Sequence, residues 1–294
     1  MNEIKIAVLG GDARQGFLIN ELRLCGYKIS SYGVIGKTDC ECKDIKEALT
    51  GAGVVLLPFP VSPDGVFLNA VCDECNIKLS ELFDLIRDSD VKSIYGGGIK
   101  PSVYALAKEK SLDLRDYGEI ESVKIKNALC TVEGAIEIAM HELPINLSGS
   151  SCAVFGYGRI GSLLCKKLKA LDVTVYAVAR RSESLALAEA EGVIGVPLPY
   201  AKDLLGVCDV VFNTVPAKVI GSDMLTALKK DCAVIDLASP PGGVDFKKAR
   251  ELDLNVIWAL SLPGKCSPKS AARIICRAVS DMILAETCKT KEQI

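Results

Sequence analysis

The sequence predicts an α/β protein of two doubly wound parallel-sheet domains joined by a long helix. Three observations carry that expectation. Strand and helix signals alternate along the first half of the chain and restart near residue 150. A glycine-rich turn follows the leading apolar strand of each half, at Gly10-Gly11 and at Gly156 to Gly161. Between the halves lies a helical stretch, Thr131 to Glu142, with apolar Ala135, Ile138 and Ala139 at helical spacing and Pro144 as its stop. The expected division is residues 1–130, a bridging helix over 131–144, a second domain over 145–267, and a C-terminal helix with tail over 268–294.

The first half opens on Ile4-Lys5-Ile6-Ala7-Val8-Leu9, a buried strand pattern with no leader signal ahead of it. Asp12 suits the N-cap of a helix reaching Cys25, where Gly26 stops it. A strand over Tyr27 to Tyr32, a helix over Asp44 to Leu49 and a strand over Val54 to Leu57 follow, before Pro58, Pro60 and Pro63 force a loop. Strands at Ser93 to Tyr95 and Leu112 to Leu114 flank a helix over Ser102 to Lys108. In the second half, strands are expected at Cys152 to Phe155, Val173 to Val178, Asp209 to Asn213, Ala233 to Asp236 and Val256 to Trp258. The helices between them are Arg159 to Leu171, Glu183 to Glu191 and Ser222 to Lys229, and the last is Ser270 to Glu286 ahead of a frayed polar tail. Such alternation implies parallel sheets with helices on both faces.

Composition excludes several function classes. Charged residues are 24% and the net charge is −2, so no footprint for nucleic acid or an anionic membrane exists. No apolar run approaches the roughly 20 residues that a membrane helix needs. The 13 cysteines are odd in number and scattered through apparent strands and helices, which is the usage of a reduced cytoplasmic protein. Cys72-Asp73-Glu74-Cys75 is a C-x-x-C with Cys40-Glu41-Cys42 upstream, but its acidic spacer raises thiol pKa values and no second pair or nearby histidine completes a zinc set. No metal site is expected.

Gly156-Tyr157-Gly158-Arg159-Ile160-Gly161 is a G-x-G-x-x-G that closes an apolar strand and opens an amphipathic helix. That context makes it a Rossmann-like dinucleotide turn. The first glycine allows the turn, the second lets the backbone approach the pyrophosphate, and the third lets helix and strand pack closely. The helix N-terminus supplies N–H groups and partial positive charge to phosphate. An NAD site would carry an acid at the end of the next strand to hold the ribose 2′-OH. Here that strand ends Tyr176-Ala177-Val178-Ala179-Arg180-Arg181-Ser182. Two arginines and a serine suit a 2′-phosphate, so NADP is expected rather than NAD.

Ligands in open α/β sheets lie beyond the carboxyl ends of strands. Asn213-Thr214-Val215-Pro216 and Asp236-Leu237-Ala238-Ser239 take such positions; Asn213, Thr214, Val215, Pro216, Asp236 and Ala238 are candidate cofactor contacts, and Ser239 is a candidate catalytic and substrate contact. Lys265, before the last helix, and Arg14, in the first half's glycine turn, are candidate cations for a substrate; each reads equally as a member of a surface ion pair. That first turn lacks the full fingerprint, so no second nucleotide is expected there. His141 is the sole histidine and the candidate acid/base, with a helix-end histidine as the plainer reading.

Taken together, several segments resemble the dipicolinate synthase A-subunit family of spore-forming bacteria over nearly the whole chain. They are Gly10-Gly11-Asp12-Ala13-Arg14-Gln15, Thr131-Val132-Glu133-Gly134-Ala135-Ile136, Gly156 to Gly161, Asn213 to Pro216, Asp236 to Ser239 with Pro241-Gly242-Gly243, and Leu262-Pro263-Gly264-Lys265. The layout also resembles that of D-2-hydroxyacid dehydrogenases. The resemblance implies NADP-dependent oxidation of a dihydrodipicolinate to pyridine-2,6-dicarboxylate, a flavoprotein-like partner (the B-subunit), and the mother-cell cytoplasm during sporulation. A homo-oligomer is expected as well, as is hinging of the two domains with Arg14 meeting a substrate carboxylate. Two alternatives stand. A D-2-hydroxyacid dehydrogenase would need a histidine relay and a substrate-binding arginine, yet Ser239 stands where that arginine is wanted and no histidine follows the dinucleotide domain. A non-catalytic NADP-binding subunit would lend its cofactor site to a partner.

Overall fold

The structure, a computed structural model, describes residues 4–35, 39–70 and 76–292. It divides into two compact units, Met1–Asn127 with Ser267–Ile294, and Ala128–Cys266. The Cys72/Cys75 pair lies outside the described residues.

In the first unit, β1 (Lys5–Leu9), β2 (Lys28–Tyr32), β3 (Val54–Leu56), β4 (Ser93–Gly96) and β5 (Leu114–Asp116) form one sheet in the order β2-β1-β3-β4-β5, and every pairing is parallel. Side chains of a strand alternate between faces, so an unbroken apolar run fills two cores. Ala7, Leu9, Val55 and Leu57 face a layer built by α2 (Ile45–Leu49), α3 (Leu79–Arg87) and α4 (Pro101–Glu109). Ile6, Val8, Val54 and Leu56 face α1 (Ala13–Leu24) and α12 (Pro268–Glu292). The C-terminal helix therefore completes the N-terminal unit. Asp12 caps α1 as expected, accepting from the Arg14 N–H at 3.0 Å. α3 has no counterpart among the sequence expectations; only its burial of Leu79, Leu82, Phe83 and Ile86 declares it.

α5 (Glu121–Glu142) starts ten residues before the expected Thr131, since no glycine or proline interrupts Glu121 to Glu133. The unit boundary falls inside it. Val123 joins the first unit's core, and Val132, Ala135 and Ala139 join the second's.

The second unit's sheet runs β11-β10-β9-β6-β7-β8, again wholly parallel. Its strands are β6 (Ser151–Phe155), β7 (Thr174–Ala179), β8 (Ile194–Pro197), β9 (Val210–Asn213), β10 (Ala233–Asp236) and β11 (Val256–Trp258). This is the dinucleotide-fold order, with its switch point between β6 and β9. Cys152, Val154, Val210 and Phe212 pack toward α5 and α6 (Arg159–Lys169). Ala153, Phe155, Val211 and Val234 pack toward α8 (Ala201–Leu205), α9 (Ser222–Leu225) and α10 (Phe246–Glu251). α7 (Ser182–Ala190) links β7 to β8, and α11 (Leu262–Cys266) ends the unit. Two expectations need correction: the helix expected over Ser222 to Lys229 stops at Leu225, and the last helix, expected to end at Glu286 with a frayed tail from Lys289, persists to Glu292. No helix among the described residues is long and apolar enough to cross a membrane.

The far end of α12 is tied to the sheet by one carboxylate. Glu286 accepts hydrogen bonds from Tyr95 Oη and Ser93 Oγ on β4 and from Arg115 Nη1 on β5. Tyr95 is wholly buried, so deleting the carboxylate strands a buried hydroxyl. Glu286→Ala is expected to lower the unfolding free energy by about 2 kcal/mol in urea denaturation, and Glu286→Gln by less, because an amide oxygen still accepts. An unchanged midpoint for Glu286→Ala would mean that the apolar face alone holds α12.

Candidate functional site

The turn from β6 into α6 is shaped by three glycines that do different work. Gly156 sits at φ +95°, and a Cβ there would stand 2.4 Å from Thr214 Oγ1. A Cβ on Gly161 would lie 2.0 Å from the Gly156 carbonyl oxygen, so α6 meets the turn backbone to backbone. Gly158 differs: a Cβ there would meet nothing within 4 Å, and its φ of −96° suits any residue. Its missing side chain leaves open space on the outside of the turn, in front of the leading N–H groups of α6.

That space belongs to a cavity of about 400 Å³. Gly156, Tyr157 and Gly158 form its floor, Val178, Ala179, Arg180 and Arg181 come from the end of β7, and Phe155, Ser184, Leu198, Val215 and Val219 complete the wall. Arg180 and Arg181 are exposed and make no ion pair among the described residues. An open glycine before a helix N-terminus, an apolar wall and two exposed guanidinium groups fit an anionic dinucleotide.

Of the expected cofactor residues, the structure brings Gly156, Tyr157, Gly158, Arg180, Arg181 and Val215 to the cavity. Arg159, Ile160, Gly161, Ser182, Asn213, Thr214, Pro216, Asp236 and Ala238 do not line it. Asn213 and Asp236 are wholly buried and spend their side chains on each other, with Asn213 Nδ2 donating to Asp236 Oδ1 at 2.7 Å. Asp236 also accepts from the N–H groups of Ala238 at 3.0 Å and Gly243 at 2.7 Å. Asn213 holds Val215 through both its amide atoms, at 3.0 and 3.1 Å. The pair fixes the loops beyond β9 and β10, and so places Val215 in the wall. Sequence reasoning missed Leu198 and Ser184. Leu198 follows β8, whose Ile194-Gly195-Val196-Pro197 carries too short an apolar signal to read as a strand.

Tyr157 turns inward, its hydroxyl donating to Glu191 Oε2 at 2.7 Å. Burial and then the Glu191 carboxylate hold its phenol protonated, above the ordinary range.

The corresponding turn in the first unit is closed. Gly11 N donates to the Asn69 carbonyl at 2.6 Å, and a Cβ on Gly10 would lie 2.7 Å from that same oxygen. The Asn69 carbonyl thus already takes a turn N–H that a phosphate would need. Arg14 is 4% exposed and grips Asp12 in a fork, with Nε 2.8 Å from Oδ1 and Nη2 2.7 Å from Oδ2; Nη2 also donates to the Phe59 carbonyl. Burial pushes the Asp12 carboxyl up, but the Arg14 hydrogen bonds and charge outweigh it and hold the pKa low. The expected free cation is thus a buried, paired one. His141 lies at the end of α5 with its side chain 86% exposed, 3.2 Å from Glu142, and does not line the cavity. Ser239 and Lys265 are exposed, and Lys265 makes no ion pair among the described residues. No three potential metal ligands cluster among the described residues. The core thiols of Cys152, Cys165, Cys208 and Cys232 are pushed up to about 12 by burial, which makes them inert.

Comparison with known proteins sets this geometry in a family. Residues 5–118 match the family model of the dipicolinate synthase A-subunit N-terminal domain, and residues 131–240 match that of the D-isomer specific 2-hydroxyacid dehydrogenase NAD binding domain. The dipicolinate synthase A-subunit of Bacillus subtilis is 30% identical, over 95% of this chain and 96% of its own. The chain belongs to the dipicolinate synthase A-subunit family. Solved structures of the dipicolinate synthase A-subunit from Bacillus halodurans (TM-score 0.85, 28% identity, 95% of this chain and 97% of that one) and from Bacillus subtilis (TM-score 0.84, 26% identity, 98% of each) share the fold. So does D-lactate dehydrogenase of Escherichia coli, at TM-score 0.62, 15% identity and 97% of each chain. The second unit is a dehydrogenase-type nucleotide-binding domain.

The contrast between Gly158 and Gly161 yields a test. Gly158→Ala should melt like the parent yet weaken nicotinamide dinucleotide binding about tenfold or more, since the methyl enters the ligand's space alone. Gly161→Ala should instead lose about 2–3 kcal/mol of stability, because its methyl must push against backbone. Equal dinucleotide affinity in Gly158→Ala, by calorimetric titration, would remove the phosphate from this turn.

Proposed function

We propose that this chain is the NADP-dependent dehydrogenase subunit of a dipicolinate synthase, oxidising a dihydrodipicolinate to pyridine-2,6-dicarboxylate. The observation that carries the cofactor choice is the end of β7. Arg180 and Arg181 stand exposed and unpaired at the cavity, where an NAD site would set a carboxylate, and no lining residue is acidic. A 2′-phosphate would find two guanidinium forks there.

The balance is one hydride and one proton lost per substrate. Bound NADP+ would accept the hydride. The chain's own part is to hold the nucleotide on the Gly156–Gly158 turn and to fix the loops beyond β9 and β10 through Asn213 and Asp236. Aromatisation of the ring favours the products, so positioning matters more than a strong base. Water suffices as proton acceptor in this reading, and His141 need not serve. For the substrate carboxylates we assign Lys265 and Ser239, which are exposed, ahead of Arg14, whose guanidinium is already engaged. The setting would be the mother-cell cytoplasm in sporulation, with this chain as a homo-oligomer and the flavoprotein-like B-subunit as its partner.

The absence of a carboxylate or histidine from the cavity wall favours one other reading, a nucleotide-binding subunit whose chemistry is completed by its partner. Assaying dihydrodipicolinate oxidation with the purified chain alone and with the B-subunit added separates the two. Turnover by the chain alone supports its own catalysis. Turnover only with the partner places the active centre between two chains, and turnover of 2-keto acids with NADH instead would overturn the substrate.

Arg180→Ala is expected to raise the NADP+ Kd about 10- to 100-fold while moving the NAD+ Kd less than about twofold, since it removes a charge-assisted contact that only the phosphorylated ribose makes. Equal losses for both cofactors would remove Arg180 from the 2′ position.

A further inference from the structure

Two cysteines meet on the seam between α1 and α12. Cys25 Sγ, at the C-cap of α1, lies 3.8 Å from Cys276 Sγ in α12, across 251 residues of sequence. Cys25 is exposed and Cys276 is 5% exposed. The seam is well defined around them. One turn earlier on each helix, Glu21 Oε1 accepts from Arg273 Nε at 2.8 Å, so Glu21 with Cys25 on α1 and Arg273 with Cys276 on α12 form two successive cross-links of the same helix pair. Apolar packing of Leu18, Ile19 and Leu22 beneath Ala272, Ile275 and Val279 fixes the approach. Gly26, at φ +87°, follows Cys25 directly and ends the helix there.

We infer that Cys25 and Cys276 are a disulfide-forming pair that staples the C-terminal helix to the first helix when the protein meets a hydroperoxide. The two sulfurs are at van der Waals contact, and about 2 Å of further approach separates them from an S–S bond. The steps balance. Cys25 reduces hydrogen peroxide, forming its sulfenic acid and one water. Cys276 sulfur then attacks the sulfenyl sulfur, the S–S bond forms, and hydroxide leaves with the Cys276 proton as a second water. Exposure assigns the first step to Cys25, since the peroxide must reach it, and burial assigns the resolving step to Cys276. Burial, and then the neighbouring Cys25, pushes the Cys276 thiol up to about 12. The pair is thus a slow staple, formed under sustained oxidation, rather than a rapid sensor. Its effect follows from the span: joining residues 251 apart removes much of the unfolded chain's freedom and holds the helix that covers one face of the first sheet.

The full-length chain treated with hydrogen peroxide, then alkylated and digested without reductant, should give a Cys25–Cys276 linked peptide two hydrogens lighter than the sum of its parts. Tm should rise by about 5 °C, fall back with dithiothreitol, and stay fixed in peroxide-treated Cys25→Ser. Cys25→Ser is at the surface and keeps the fold, so the outcome does not hinge on a buried substitution. Cys25 recovered as sulfinic acid, or as a disulfide between two chains, with Cys276 still alkylated, would overturn the pairing.

Discussion

The nucleotide-binding unit depends on one close approach, that of Gly161 to the carbonyl of Gly156. With 2.0 Å between a hypothetical Cβ and that oxygen, no side chain fits, and the N-terminus of α6 is drawn against the end of β6. Everything placed around the cavity follows from this. The helix N–H groups point across the Gly158 gap, Thr214 of the β9 loop packs over Gly156, and the end of β7 comes alongside. A helix held even an ångström away would present its dipole to water rather than to a phosphate, and the anion's share of binding falls steeply with distance at a wet surface.

The two units show how the same sheet logic can bind or refuse a nucleotide. Both begin with an apolar parallel strand, a glycine turn and a helix. In the second unit the space beyond the turn is empty because Gly158 faces outward. In the first, the chain itself fills it: the Asn69 carbonyl takes the Gly11 N–H, Asn69 Nδ2 bonds the Pro60 carbonyl at 3.0 Å, and Arg14 satisfies the Phe59 carbonyl. The N-cap also differs in sign. Asp12 brings a carboxylate to the helix N-terminus and uses its favourable field itself, whereas Gly158 leaves that field available.

Much of this was legible in the residues. The alternation of strand and helix gave the two sheets, because a strand buried on both faces needs a continuous apolar run and such runs stand out. The fingerprint gave the turn and the arginines gave the cavity's charged edge. What escaped were features set by tertiary contact. α3 has no sequence start signal, for Lys78 makes no side-chain cap. β8 is an edge strand held by register with β7. Asn213 and Asp236 read as ligand contacts because polar residues at strand ends usually face the crevice. Their side-chain partners are each other, 23 residues apart in sequence, and four backbone groups, and no local pattern announces such a pairing.

The structure also divides the four cations that the sequence singled out. A buried guanidinium must be paired, since desolvation of an isolated charge is prohibitive, and Arg14 is paired on two sides. Its charge is largely spent on Asp12, which leaves little field for an outside anion. Arg180, Arg181 and Lys265 are exposed and make no ion pair among the described residues, so no neighbouring carboxylate neutralises them there. An exposed charge is screened by water and salt until a ligand covers it, at which point the same pair strengthens as the local dielectric drops. The unpaired arginines at β7 therefore gain most from a ligand that seals the cavity behind it. A dinucleotide lying along the Gly156–Gly158 floor and the Val178–Val215 wall has that shape, and a free phosphate does not.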